Sequence, residues 1–161
     1  MFAMRKAQSA GAVVAAAAAM AVVTGAGPAS GAIAPDADVA YGGHVSLSAG
    51  RIAVWLRSVN HGPSSLANAT VRLQFSEPLA DGRELSQGCL RSGQHEVLCQ
   101  TGALPVMGEG QPVALDLWTR GQPAEVTVRI DTAWNGGATD RNPLNNELEV
   151  LVPATGDPYF I

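Results

Sequence analysis

Cys89 and Cys99 are the two cysteines of the chain. Segment 90–98 between them contains Ser92-Gly93, a turn-forming pair, so a hairpin there sets the two thiols opposite each other. In an oxidising compartment two such thiols form a disulfide. The other chemistry open to them is a metal pair with His95, which would still lack the fourth ligand of a closed zinc site.

Asp140, Asn142, Asn145, Asn146 and Glu147 make the densest run of side-chain oxygens in the sequence. Oxygens at close spacing are what calcium takes, which makes Asp140, Asn142 and Asn145 weak calcium candidates. Leu144 falls where a further ligand is expected, and Asp and Asn serve equally well to cap backbone groups at the entry to a strand. His44, His61 and His95 are scattered. Ser and Asp residues suffice for a triad on paper. No Gly-x-Ser-x-Gly elbow, His-Glu-x-x-His pair or phosphate loop accompanies them. The expectation is a protein that is not an enzyme and that carries no cofactor.

The elements that hold these residues follow from period-two alternation. Ile52, Val54 and Leu56 alternate with Arg51, Ala53, Trp55 and Arg57. Val71, Leu73 and Phe75 form a second set, Val113, Leu115 and Leu117 a third, Val126, Val128 and Ile130 a fourth, and Leu148, Val150 and Val152 a fifth. Val45 and Leu47 open a weaker strand, and Glu96 to Gln100 makes a short one. Turn chemistry separates them at Asn60-His61-Gly62-Pro63, Asp81-Gly82, Gly108-Glu109-Gly110, Gly121-Gln122-Pro123 and Asn135-Gly136-Gly137. The Asn60-His61-Gly62-Pro63 segment shapes a loop, with glycine permitting positive φ and Asn60 bonding nearby backbone; a binding loop is the other reading. No helical period follows residue 32. About seven strands predict an all-β chain, an antiparallel immunoglobulin-like β-sandwich rather than a small barrel.

With the aliphatic sets turned inward, Trp55 and Trp118 face outward as a candidate binding surface. A sheet edge or a bulge that resets the register would bury either one. Trp134 continues the phase of Val126, Val128 and Ile130 and is expected with the core.

Composition narrows the compartment. The chain has 161 residues, a formal charge of −4 and only 15% charged residues. An acidic balance without a basic face excludes nucleic acid as a partner. Arg5 and Lys6 precede an uncharged, Ala- and Val-rich run from Ala10 to Gly25, followed by the small residues Ser30 and Ala32. That is the three-part pattern of a secretory signal peptide, 1–32, rather than a membrane span. A retained N-terminal anchor is the competing reading. The expected organisation is then a short linker 33–37, a sandwich 38–153 and a C-terminal tail 154–161, with no integral membrane segment after cleavage. The tail is either unstructured, docked on its own sheet, or added to the edge of a partner's sheet.

Asn60-x-Gly62-Pro63, the opening Ala69-Thr70-Val71, Cys89 and Cys99 about a hairpin, Gly102-x-Leu104 and the closing Asp140-x-Asn142-Pro143-x-Asn145-Asn146 resemble the bacterial extracellular repeat catalogued as domain of unknown function eleven. The resemblance covers roughly residues 37–152. It implies an immunoglobulin-like fold, an extracellular or cell-surface location and kinship with adhesion-type modules, and it implies no reaction. A secreted binding or adhesion module is therefore expected, with an extracellular protein or cell-envelope glycan as partner. The alternatives are a secreted hydrolase or inhibitor, or a structural spacer without a ligand.

Overall fold

The computed structural model describes residues 33–161; the signal peptide read over 1–32 lies outside them. Twelve strands follow one another: β1 (Asp36–Ala37), β2 (Val39–Ser48), β3 (Arg51–Asn60), β4 (Thr70–Phe75), β5 (Cys89–Arg91), β6 (Glu96–Gln100), β7 (Gly108–Glu109), β8 (Val113–Trp118), β9 (Glu125–Trp134), β10 (Thr139–Asp140), β11 (Leu148–Pro153) and β12 (Tyr159–Phe160). A single 3-10 turn at Pro143–Asn145 is the one helical element among the described residues. Seven of the strands have five residues or more, and these are the seven alternating segments of the sequence.

The fold is all-β, built on two five-stranded antiparallel sheets. One has the order β11-β9-β4-β6-β5, and in the other β12-β2-β3 continues to β7 and β8, which both pair with β3. Pro112 has no N–H to donate, and it sits where β7 gives way to β8. A small parallel pair, β1 with β10, lies apart from both sheets. The inward residues of the two sheets form one core, in which Leu47, Ile52, Leu56 and Leu117 from one side meet Val71, Leu73, Val97 and Ile130 from the other. Each such aliphatic side chain contributes about 1.5–3 kcal/mol when fully buried.

The strands change sheet through paired loops. Segment 61–69 leaves β3 for β4, and segment 101–107 leaves β6 for β7. The two run side by side, joined by Leu66 and Leu104, whose N–H groups each donate to the other's carbonyl at 2.9 Å. Asn60, fully buried, holds the first loop. Its Oδ1 accepts from the N–H of Gly62 (2.9 Å) and of Asp38 (3.3 Å), while its Nδ2 donates to the carbonyls of Ser64 (2.8 Å) and Pro105 (3.2 Å). Gly62 is needed for space rather than for a left-handed backbone: a Cβ there would lie 2.5 Å from the Ala37 Cα. Thr101 does the same service in the second loop, accepting from the Ala69 N–H (3.0 Å).

The tail docks on its own sheet. Tyr159 and Phe160 pair with Val45 and His44, and Ile161 exchanges both backbone hydrogen bonds with Gly43. The β5–β6 hairpin places Cys89 opposite Cys99, and the two form a disulfide ten positions apart in sequence.

Replacing both cysteines by serine is expected to lower stability by about 2.5–3 kcal/mol, read from denaturant midpoints with and without reductant. Gly62→Ala should cost about 1–3 kcal/mol by forcing backbone apart. Gly93→Ala, where a Cβ meets nothing, should leave the same midpoint in place.

Candidate functional site

Alternation on β3 sends Trp55 outward because Val54 and Leu56 point into the core. Register then lines up a row across three strands: Phe160 beside His44, and His44 beside Trp55. The His44 ring stacks on Trp55 with centroids 5.7 Å apart and planes 20° from parallel. Phe160 meets His44 edge-on at 5.9 Å. Phe160 is 78% exposed and Trp55 37%. On β8 the row ends at Ala114, a small residue that leaves the surface low.

Ion pairs frame the row. Arg57 reaches Glu109 at 2.9 Å and also sits 5.6 Å from the Trp55 ring centre. On the next rungs Arg51 grips Asp116 through both carboxylate oxygens, at 2.7 and 3.0 Å. The hydrogen bond from Arg51 holds the Asp116 carboxyl below the usual range and raises the arginine in turn. Trp118 is half-buried and covered by the Arg83 guanidinium at 5.2 Å; its indole Nε1 is buried without a hydrogen-bond partner.

The outer face of the other sheet has a different character. Glu149 pairs with Arg129, Gln74 with Glu96, and Asp131 with Arg72, each across neighbouring strands. Polar partners there satisfy one another and leave no aromatic row.

The sequence placed Trp134 with the core, and the structure places it on the surface, 51% exposed. The cause is a β-bulge. Val71 pairs with Thr132 but Thr70 pairs with Trp134, so Ala133 is extra and the phase of β9 reverses beyond it. No residue type near Ala133 announces a bulge.

Asp140, Asn145 and Asn146 act as caps, Asn142 joins them only through its N–H, and Glu147 stands apart without a hydrogen bond among the described residues. Asp140 accepts from the Asn142 N–H (2.9 Å), the Val39 N–H (3.2 Å) and the Asn146 Nδ2 (2.8 Å). Asn145 donates to Asp38 at 2.7 Å. Among the described residues no three His, Cys, Asp or Glu side chains are grouped to hold a metal ion. The histidines stay apart: His44 in the aromatic row, His61 exposed after β3, and His95 with Nδ1 on the Phe75 carbonyl at 3.0 Å. Among the described residues no helix is long and apolar enough to cross a membrane.

No protein-family model matches the chain, and no curated protein matches it. Among solved structures, the chain is similar to that of beta-glucosidase 3B from Thermotoga neapolitana, solved in complex with alpha-D-glucose, at 15% identity and a TM-score of 0.43. The match covers 78% of this chain and spans only 17% of that enzyme's length.

Beneath Asp140 lies Tyr41, buried, with its hydroxyl 2.7 Å from Thr132 Oγ1. Burial pushes its pKa up to about 12, against a smaller lowering by the Thr132 hydrogen bond. The folded form therefore holds the proton longer than the unfolded chain. That stability is whole below pH 10 and is lost as pH rises from 10 to about 12. Tyr41→Phe is expected to flatten the fall of the thermal midpoint over that window, measured by circular dichroism melts at stepped alkaline pH.

Proposed function

We propose that the chain is an exported, non-enzymatic immunoglobulin-like module, of the kind that resembles the bacterial extracellular repeat named above, and that it binds a partner outside the cell or on its envelope. The partner is a protein that seats on the Phe160–His44–Trp55 row. The observation that carries this reading is the contrast between the two outer faces. One is closed by cross-strand polar pairs, while the other presents an aromatic row flanked by arginine ion pairs. Exposed aromatic and arginine side chains are enriched in interface cores. The disulfide supports an oxidising compartment. A rigid sandwich with a stapled hairpin suits a scaffold that presents a surface.

Co-sedimentation of the purified protein with bacterial cell-envelope fractions tests the reading. Saturable binding is expected, weakened at least about tenfold in Trp55→Ala and in Phe160→Ala. Equal sedimentation of wild type and both variants would overturn the docking face. Hydrolytic turnover that disappears in His44→Ala or His95→Ala would overturn the non-enzymatic reading.

A further inference from the structure

The three tryptophans differ in what covers them. Trp55 carries His44 and Arg57, and Trp118 carries Arg83. Among the described residues no aromatic ring or guanidinium stacks on Trp134, although half of its surface is in solvent. The bulge at Ala133 is what holds it there, against the phase of its own strand.

Trp134 also stands at a cavity. A depression of about 370 Å³ is lined by Trp134, Asn135, Asp140, Pro143, Asn146 and Glu147, within the size range of small-molecule sites. A second depression of about 410 Å³ shares Glu147 with it and runs on past Asp131 to Arg129 and Glu149. The two meet at Glu147, and the open surface cleft they outline follows β9 and the start of β11. It lies on the opposite sheet from the aromatic row, so this inference does not rest on the function proposed above.

The polar lining is prearranged. Asn146 is 5% exposed and is fixed through Nδ2 on Asp140, whose carboxylate is locked from three sides. Asn135 is fixed through Nδ2 on the Ala138 carbonyl. Glu147 is exposed and joins no ion pair among the described residues, so its carboxylate is open to a ligand's donors.

We propose that this cleft binds a neutral saccharide, with the Trp134 indole under the apolar face of a sugar ring and Glu147, backed by the Asp140–Asn146 pair, accepting hydrogen bonds from its hydroxyls. Each alternative ligand class meets an obstacle. An anion faces Asp131, Asp140, Glu147 and Glu149, and the one arginine of the cleft, Arg129, is held by Glu149 at 2.8 Å. A cation finds only Glu147 without a partner, because Asp131 is engaged by Arg72 and Asp140 by its three donors. An apolar ligand would bury the Glu147 carboxylate, which has no partner among the described residues. A polyol supplies hydroxyl donors and a C–H face together, which is what one bare indole beside the free Glu147 carboxylate can use.

Affinity electrophoresis of the protein through gels carrying dextran, mannan, laminarin, arabinogalactan or the polyuronate alginate tests the assignment. Retardation by at least one of the four neutral polysaccharides is expected, with none by alginate. Trp134→Ala should weaken that retardation at least about tenfold, and Glu147→Gln by a smaller factor, since the amide keeps the size but loses the charged acceptor. Both positions are on the surface, and unchanged circular dichroism melts check that both variants stay folded. Trp55→Ala should bind as the wild type does, which separates this cleft from the aromatic row. Retardation by none of the neutral polysaccharides, full binding by Trp134→Ala, or preference for alginate would each overturn the proposal.

Discussion

Asn60 sits where the chain leaves one sheet for the other, and its amide is saturated on both ends by four backbone partners. A sandwich can bury its aliphatic faces only if the crossing loops bury their own N–H and C=O groups without loss. Asn60 does this for three separate stretches of chain at once: the lead-in to β2, the loop after β3, and the approach to β7. The close approach of Gly62 to Ala37 and the Leu66–Leu104 bridge follow from the same closure. With that crossing fixed, β3 and β4 are committed to opposite sheets, and the register of every strand paired to them is set in turn.

The two outer faces then differ by composition alone, because the inner faces are nearly interchangeable layers of Val, Leu and Ile. On the β9 side, ion pairs and amide bonds run from strand to strand, each worth little on an exposed surface, yet together they leave few free charges. On the β3 side a row of rings runs across the strands between the Arg57–Glu109 and Arg51–Asp116 pairs. The cleft at Trp134 breaks this division, since it sets an uncovered indole at the border of the polar face.

Much of the architecture was readable from the sequence because its cause is local. Alternation of Val and Leu with polar residues is complete within five to ten positions, and the seven longer strands stand where it predicts them. Ser92-Gly93 and the two flanking cysteines announce their hairpin in the same way. What was not readable depends on residues far apart. The two-residue strands β1, β7, β10 and β12 exist only through their partners, and no period marks them. Trp134 turns outward because two residues of β9 oppose one residue of β4, a count made only when the strands meet. Trp118 is covered by an arginine 35 positions earlier in the chain, which alternation on β8 has no means to reveal. In sequence Gly62 stands as a residue that permits positive φ, and its neighbour in space, Ala37, shows that the need is room.

The margins of the two sheets carry a last consequence. β5 has three residues and is stapled to its neighbour by the disulfide, and β7 and β12 have two each. β8 and β11, six residues each, are the longest margins: β8 is covered where the Ala80 N–H donates to the Trp118 carbonyl and the Ser86 hydroxyl to the Ala114 carbonyl, and β11 is bordered by Glu147, carries Glu149 and ends on Pro153, which offers no N–H. Unpaired strand borders are where one molecule recruits the backbone of the next and a filament begins. Among the described residues these borders are brief, partly covered, charged or proline-terminated. Copies of this protein can crowd together without knitting into a continuous sheet, and an encounter between two of them is left to side chains.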